Sequence, residues 1–174
     1  MKKLPALLIV GSMLICGSVA QAQVINEEYA DALIYQWTGP KGSTCDEVLE
    51  QVKALDAAQQ LKLREVLHAQ LSSDEKMPEG KSALDYRFAD KLINQIDDWH
   101  GNLKYDEVIE AKLVEPVSQG AAVWYKVETL DGRVYDKLWI GVSTLQPCDT
   151  LEDIDVPYRM YLRGKQIVKL EELD

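Results

Sequence analysis

Apolar side chains recur at two different periods along the chain, and the change of period divides it into a helical half and a strand-rich half. Up to about residue 100, apolar positions recur every three or four residues, as in Tyr29, Leu33 and Trp37. This spacing places them on one face of an α-helix. After Asn102 the period falls to about two, and β-branched and aromatic residues become frequent, which is typical of strands with one buried face.

Capping residues mark the starts of the predicted helices. Asn26 precedes the first apolar stripe, and its side chain can accept a hydrogen bond from a free backbone N–H of the first turn. Thr44 and Asp56 are each followed three residues later by Glu or Gln, which is the spacing of a capping box. Ser82 precedes the longest stripe, and Gly101 stands where a left-handed helix end is expected.

Turn signals predict two hairpins in the second half of the chain. Asp131-Gly132 lies between two alternating apolar segments and indicates a two-residue turn. Arg163-Gly164-Lys165 lies between two further segments. We interpret it as a three-residue turn, because that length places Met160 opposite Val168 and keeps the apolar positions aligned.

The segment 105–114 is compatible with either a helix or a strand. Ile109, Ala111 and Leu113 alternate with charged residues, and this alternation favours a strand. The sequence therefore predicts an α+β fold, in which N-terminal helices pack on a C-terminal curved antiparallel sheet of four to five strands.

The two-residue turn also predicts which residues face each other across the first hairpin. The predicted pairs are Leu130 with Arg133, Glu128 with Tyr135, Lys126 with Lys137, and Trp124 with Trp139. The opposite face would form a core layer for the helices, with Val123, Tyr125, Val127, Leu138 and Ile140.

This register gathers aromatic and basic side chains on one face of an otherwise acidic chain. The rings would stack on a sugar ring or a protein side chain, while the cations would meet a carboxylate or phosphate. An alternative is that the sheet curls and the tryptophans pack beneath the helix predicted from Ser82 to Trp99. The candidate partner-binding residues are Trp124, Lys126, Tyr135, Lys137, Trp139, Arg159 and Tyr161.

The end of the chain, YRMYLRGKQIVKLEE from Tyr158 to Glu172, resembles the closing hairpin of the NTF2-like superfamily, which includes the SnoaL-like domains. That resemblance implies helices inside a curved antiparallel sheet, which in this family often holds a small ligand in a cone. A cystatin-like helix-on-sheet arrangement fits the same pattern. No catalytic motif of the NTF2-like family can be matched residue by residue.

The first 22 residues have the pattern of a cleaved secretory signal. Lys2 and Lys3 precede the apolar run Leu4–Ile15, and the small residues Ala20 and Ala22 follow. We therefore expect a signal peptide at residues 1–22, a single α+β domain at residues 23–174, and a periplasmic location.

Two other interpretations of this segment are disfavoured. Lipidation at Cys16 would require a small residue before the cysteine, where the chain has the bulky Ile15. An uncleaved anchor is disfavoured because glycines and serines interrupt the apolar run. After cleavage, no segment of the sequence is apolar enough to span a membrane.

Net charge narrows the choice of partner. Lys2 and Lys3 belong to the predicted signal, so 17 of the 19 basic residues remain against 29 acidic ones. Such an acidic protein is a poor partner for nucleic acid or anionic lipid. The charge is compatible with capture of a basic protein, or it simply keeps the protein soluble.

Two cysteines remain after cleavage, Cys45 and Cys148. An even number of cysteines in an oxidising compartment favours one disulfide, which would connect the helical half with the strand-rich half. The chain contains no CxxC motif, which disfavours a thiol oxidoreductase.

Candidate catalytic and metal-binding groups are few. His68 and His100 are the only histidines, and the neighbouring Asp97 and Asp98 point in different directions on a helix. The sequence has no glycine-rich phosphate loop and no zinc-ligand spacing, so we predict neither a cofactor nor a metal. The acidic runs at 152–155 and 171–174 are interpreted as solvated charge.

These observations favour a binding protein over an enzyme. The expected function is that of an exported periplasmic module, such as an inhibitor, immunity or accessory protein, that acts on a cell-envelope protein or a wall-derived ligand. One alternative is a small isomerase or hydrolase of NTF2-like type with Asp136 as its base, which requires Asp136 to be buried in a closed cavity. Another alternative is an assembly factor of an envelope machine. The sequence does not indicate an oligomeric state.

Overall fold

The computed structural model describes residues 24–40, 42–72, 82–118, 122–146, 154 and 156–173. The predicted signal segment and Cys148 lie outside these residues. The helices are α1 (Glu27–Thr38), α2 (Cys45–Lys53), α3 (Ala57–Ser72) and α4 (Ala83–Trp99). The strands are β1 (Glu107–Ser118), β2 (Ala122–Thr129), β3 (Val134–Gly141), β4 (Pro157–Arg163) and β5 (Gln166–Glu172). Within the described ranges, no helix is both long enough and apolar enough to cross a membrane.

The predicted helix starts are confirmed. The Asn26 side chain accepts a hydrogen bond from the backbone N–H of Tyr29 at 3.0 Å. Thr44 and Ser82 each begin a helix with a complete capping box, and Asp56 exchanges the equivalent two hydrogen bonds with Gln59. Each such cap satisfies backbone donors that the first turn leaves free, which is worth about 1 kcal/mol.

The four helices pack around a hydrophobic core of their own. Leu33, Leu63, Leu67 and Leu92 are among its fully buried side chains, and each contributes roughly 1.5–3 kcal/mol through burial. Beside this core, α3 and α4 are joined by a bidentate ion pair between Arg64 and Asp97, in which Nη2 lies 3.0 Å from Oδ2.

The five strands close into a small barrel, which corrects the prediction of an open curved sheet. The order around the barrel is β1-β2-β3-β5-β4, and β4 pairs with β1. The 12-residue β1 pairs with both β2 and β4, and two register irregularities let it bend between them. A short parallel contact of Trp139 with Gln166 joins β3 to β5 and completes the ring.

Closure gives the sheet a core separate from that of the helices. The alternating residues Ile109, Ala111 and Leu113 of β1 are buried in the barrel, which confirms the strand prediction for this segment. The predicted use of the inner face of β2 and β3 as a core layer for the helices is wrong. Side chains such as Val127 and Leu138 line the barrel interior, because a closed sheet turns this face toward itself.

The turn between β2 and β3 is one residue longer than predicted. The Thr129 N–H donates to Arg133 O at 2.9 Å across the loop, and Gly132 adopts φ +88°. A three-residue loop with a left-handed glycine is a common hairpin connection. Glu128 therefore pairs with Val134, not with Tyr135 as predicted, and Leu130 lies in the loop.

A register shift between Tyr125 and Val127 then restores the predicted alignment farther along the hairpin. Asp136 and Lys137 together oppose Lys126, so the bulge compensates for the extra loop residue. Trp124 pairs with Trp139, as predicted.

The second hairpin has a turn one residue shorter than predicted. Arg163 pairs with Gln166, and Gly164 adopts φ +59°. Met160 consequently lies opposite Leu170, whereas the sequence had placed it opposite Val168. A register shift in β5 beside Val168 keeps the apolar positions buried despite the shorter turn, and periodicity alone does not reveal such a bulge.

The helices and the barrel meet along a polar seam. The Asn94 side chain on α4 donates to Ser143 O at 3.2 Å, and both residues are buried. Lys169 on β5 donates to Asp98 on α4, with Nζ 2.8 Å from Oδ1. The two layers are thus joined by directed hydrogen bonds between their separate cores.

Candidate functional site

Trp124 and Trp139 form an aromatic pair on the outer wall of the barrel. Their ring centroids are 6.4 Å apart and their planes are inclined by 50°. Both side chains are partly buried, yet among the described residues neither belongs to the hydrophobic core of the helices or to that of the barrel. The packing of these tryptophans beneath α4, which was the alternative interpretation of the sequence, is therefore not observed.

Local backbone features hold the Trp139 ring in place. A Cβ atom at Gly141 would lie 2.4 Å from this ring, so glycine provides the room the indole occupies. The Trp139 backbone N–H donates to Lys165 O at 2.9 Å. The Trp139 ring is thus carried by a hydrogen-bonded strand and not by a loop.

Two lysines accompany the aromatic pair on this wall. Lys126 forms only a long ion pair with Glu115, at 3.7 Å between Nζ and Oε1, and both side chains are exposed. Lys137 is exposed and has no hydrogen bond or ion pair among the described residues. We call Trp124, Trp139, Lys126 and Lys137 the tryptophan surface. It presents stacking area and an available positive charge side by side.

Tyr135 does not belong to the tryptophan surface, because the register near the turn places it opposite Val127. It packs against the barrel core, and its hydroxyl donates to Glu107 Oε1 at 3.0 Å. Desolvation, the larger cause, and this hydrogen bond, the next one, raise the pKa of the Tyr135 hydroxyl above its ordinary value of 10.0. Tyr135 is thus a structural residue at one end of the barrel.

Asp136, the candidate base of the enzymatic alternative, is exposed at the bulge of β3. Its predicted role required a position inside a closed cavity. The bulge explains the difference, because it interrupts the alternation from which the inward direction of Asp136 was inferred.

Arg159 and Tyr161 lie on β4, two strands away from both β2 and β3 around the barrel. Their side chains also have partners of their own: Arg159 Nη2 lies 3.0 Å from Glu110 Oε1, and the Tyr161 hydroxyl donates to Glu171 at 2.8 Å. In an open sheet they would share a face with the tryptophans. Closure turns them toward a different side of the molecule.

Lys169 connects the Tyr161 side of the barrel to the helices. Its ammonium contacts Asp98 and Glu171, each at 2.8 Å, and lies 5.3 Å from the centre of the Tyr161 ring. Burial alone would lower the pKa of Lys169, but the hydrogen bonds to Asp98 and Glu171 outweigh it and raise the pKa. The hydrogen bond from Lys169, partly opposed by desolvation, lowers the pKa of Glu171.

The sequence analysis did not single out Lys169, and it considered Asp98 only beside Asp97 as a candidate catalytic or metal-binding group. The available signal was a lysine within the apolar run of β5, Ile167-Val168-Lys169-Leu170. That pattern indicates a cation at the edge of a buried face, but the location of its partner on α4 depends on the docking of the helices.

The histidines and the adjacent aspartates have separate structural roles. His100 Nε2 lies 2.8 Å from Gln60 Oε1, and the exposed His68 contacts Ser72. Asp97 points to Arg64 within the helical layer, whereas its neighbour Asp98 points to the barrel, as expected for consecutive helical positions. Among the residues that the structure describes, no group of three or more acidic, histidine or cysteine side chains could hold a metal ion.

Cys45, at the start of α2, is disulfide-bonded. Because Cys148 lies outside the described residues, the pairing of Cys45 with Cys148 remains a prediction. Most of the acidic run at 152–155 also lies outside the described residues, so its interpretation as solvated charge remains a prediction.

The chain was also compared with known proteins. No family model, no curated protein and no solved structure matches it. These comparisons neither support nor refute the resemblance to NTF2-like or cystatin-like proteins.

Proposed function

We propose that this protein is an exported periplasmic binding module that holds a wall-derived saccharide ligand or the surface of a cell-envelope protein on its tryptophan surface. The observation that carries the proposal is the position of Trp124 and Trp139 side by side on paired strands, outside both hydrophobic cores. Large aromatic rings that contribute to no core and remain partly exposed are characteristic of binding sites.

The chemistry of this surface favours a ligand that carries both sugar rings and carboxylates. Each indole offers a flat apolar face on which the apolar face of a sugar ring can pack. Lys137 has no partner among the described residues, so its ammonium is available to a carboxylate, whereas Lys126 keeps a long ion pair with Glu115. Fragments of a peptidoglycan wall offer both groups in the periplasm, the compartment that the signal pattern predicts.

The architecture of the barrel also favours a saccharide ligand, by analogy with other barrels. The spatial order β4-β1-β2-β3 is that of a Greek key, here closed by β5. Five-stranded Greek-key barrels of the OB type bind oligosaccharides and oligonucleotides on the face of their second and third strands. The tryptophan surface lies on β2 and β3, and the net acidic charge favours saccharides over nucleic acid.

The enzymatic alternative with Asp136 as its base is not supported, because that role requires a buried Asp136 and Asp136 is exposed. Action as an assembly factor would use the same tryptophan surface with a protein partner. Capture of a stoichiometric envelope protein, in the absence of saccharide binding, would identify a protein, not a saccharide, as the occupant of this surface.

Substitution of the tryptophans tests the proposal. We expect Trp124→Ala and Trp139→Ala each to weaken binding of soluble peptidoglycan fragments about 5- to 10-fold, since loss of one stacked ring costs roughly 1–1.5 kcal/mol. Binding would be measured by isothermal titration calorimetry, and folding by circular dichroism and urea denaturation.

Tyr35→Ala provides the matched control, because Tyr35 is an aromatic side chain on α1 that is 67% exposed. This variant should bind the fragments like the original chain. If both tryptophan variants fold and bind the fragments with unchanged affinity, the proposed site is wrong.

A further inference from the structure

A second concave site lies on the seam, at the end of α4, and it is distinct from the tryptophan surface. This groove has a volume of about 560 Å³. Its lining includes Asp98 from α4, the segment that leads from α4 into β1, Tyr161 from β4 and Lys169 from β5. We call it the seam groove.

The floor of the seam groove is a set of charged groups that satisfy one another. Lys169 bonds to Asp98 and Glu171, and Glu171 accepts a hydrogen bond from the Tyr161 hydroxyl. The Lys169 side chain is only 19% exposed. The Lys169–Asp98 contact joins the barrel to the helices, and the Glu171 carboxylate holds the Tyr161 hydroxyl in position.

The rim of the groove carries polar groups that lack such hydrogen-bond or ion-pair partners among the described residues. Tyr105 is 47% exposed and meets the ring of Tyr161 edge to face, with centroids 5.1 Å apart. Lys104 has no hydrogen bond or ion pair within the described ranges. Asp106 accepts a hydrogen bond from the Gly164 N–H through Oδ2 at 2.8 Å, and its Oδ1 has no partner in the described part of the chain.

We infer that the seam groove binds a small zwitterion, an amino acid or a short peptide, with its ammonium at Asp106, its carboxylate at Lys104 and an apolar side chain on Tyr105. One available cation and one available carboxylate oxygen flank an exposed aromatic ring in three consecutive residues. A ligand with a single charge would contact only one of the two charged rim groups. A zwitterion satisfies both.

This inference does not depend on the proposed function. The groove lies against β4 and β5, whereas the tryptophan surface lies on β2 and β3, so the two sites share no residue. Either site can be tested while the other remains intact.

Titration of the full chain with alanyl-alanine tests the inference, because blocked forms of this dipeptide separate the two charges. Binding would be followed by calorimetry and by chemical-shift changes in NMR spectra. We expect saturable binding of the free dipeptide. N-acetylation removes its cation and C-terminal amidation removes its anion, and each should weaken binding at least tenfold. Free alanine, titrated in parallel, distinguishes an amino-acid site from a peptide site.

Variants locate the site. Lys104→Met keeps the aliphatic chain without the charge, and Asp106→Asn keeps an acceptor for the Gly164 N–H, so both should fold. Each should lower dipeptide affinity at least tenfold, whereas Lys62→Met, which removes an exposed lysine of α3, should leave it unchanged. The inference is overturned if alanyl-alanine shows no saturable binding, if either blocked form binds as tightly as the free one, or if both groove variants bind normally.

Discussion

At the scale of single residues, a side chain's role depends on whether its polar atoms already have partners. Arg159 and Lys137 look equivalent in the sequence, as basic residues that alternate with aromatic ones. In the structure Arg159 is held by Glu110, whereas Lys137 has no partner among the described residues. A satisfied charge stabilises the fold only slightly at an exposed position. An unsatisfied charge beside aromatic rings is available to a ligand.

The Lys169–Glu171 pair predicts how stability depends on pH. The pKa of Glu171 lies below its ordinary value of 4.5, so the folded protein binds fewer protons there than the unfolded chain. Its stabilising contribution is present above the ordinary pKa and is lost as the pH falls through the lowered one. The pKa of Lys169 is raised, so the stabilising contribution of Lys169 is present at lower pH and is lost only as the pH rises above about 10.5.

We therefore expect the urea midpoint to fall as the pH is lowered from about 5 to about 3, and Glu171→Gln to make that fall shallower. The effect should be modest, because the Glu171 side chain is 37% exposed and solvent screens it. Glu65→Gln, at an exposed ion pair with Lys62, is the control and should keep the original slope. Equal slopes in all three proteins would contradict the assigned role of Glu171.

At the scale of elements, loop length and bulges act together to set the face on which a side chain lies. The three-residue loop after Thr129 would by itself shift the tryptophans out of register, and the bulge beside Lys126 corrects that shift. The Trp124–Trp139 pair thus depends on two compensating irregularities. Only residues between them, such as Tyr135, move to the other face.

Gly132 tests this account of the hairpin. It adopts φ +88°, and nothing lies within 4 Å of the position a Cβ would occupy. Gly132→Ala should therefore lower the free energy of unfolding by about 1–2 kcal/mol through backbone conformation, not through a clash. Gly132→Asn should cost less, because Asn tolerates the left-handed region better. Urea denaturation measures both, and an alanine variant as stable as the original chain would exclude the left-handed glycine.

At the scale of the whole molecule, two separate cores meet along the polar seam, and Cys45 of α2 is disulfide-bonded. The predicted partner Cys148 follows β3 in the sequence, so a bridge between them would join α2 of the helical layer to the region after β3. Such a bridge restricts the unfolded chain and supports docking of the two layers.

Disulfide mapping under non-reducing conditions tests this pairing. We expect one crosslinked peptide pair that contains Cys45 and Cys148, and we expect reduction to lower the free energy of unfolding by about 2–4 kcal/mol. The Cys45→Ser/Cys148→Ser double variant should reproduce the reduced protein. A crosslink from Cys45 to any other cysteine would show that the assignment is wrong.

Export of the whole protein, which the proposed function requires, can be tested directly. N-terminal sequencing of native protein from a periplasmic extract should give Gln23 as the first residue, because the small residues before it fit a signal-peptidase site. Recovery of the chain with Met1 from the cytosol would contradict export and, with it, the expected oxidising environment.

The sequence by itself determined the helix starts and the buried strand positions of β1, because capping hydrogen bonds and alternation depend on near neighbours. The pairing of Trp124 with Trp139 was predicted from a two-residue turn, but the structure reaches it through a three-residue loop and a compensating bulge. Only the tertiary structure decided the closure of the barrel, the separation of Arg159 and Tyr161 from the tryptophan surface, and the contact of Lys169 with Asp98. Each of these depends on bulges and on contacts between distant segments, such as Trp139 with Gln166, and local periodicity does not encode them.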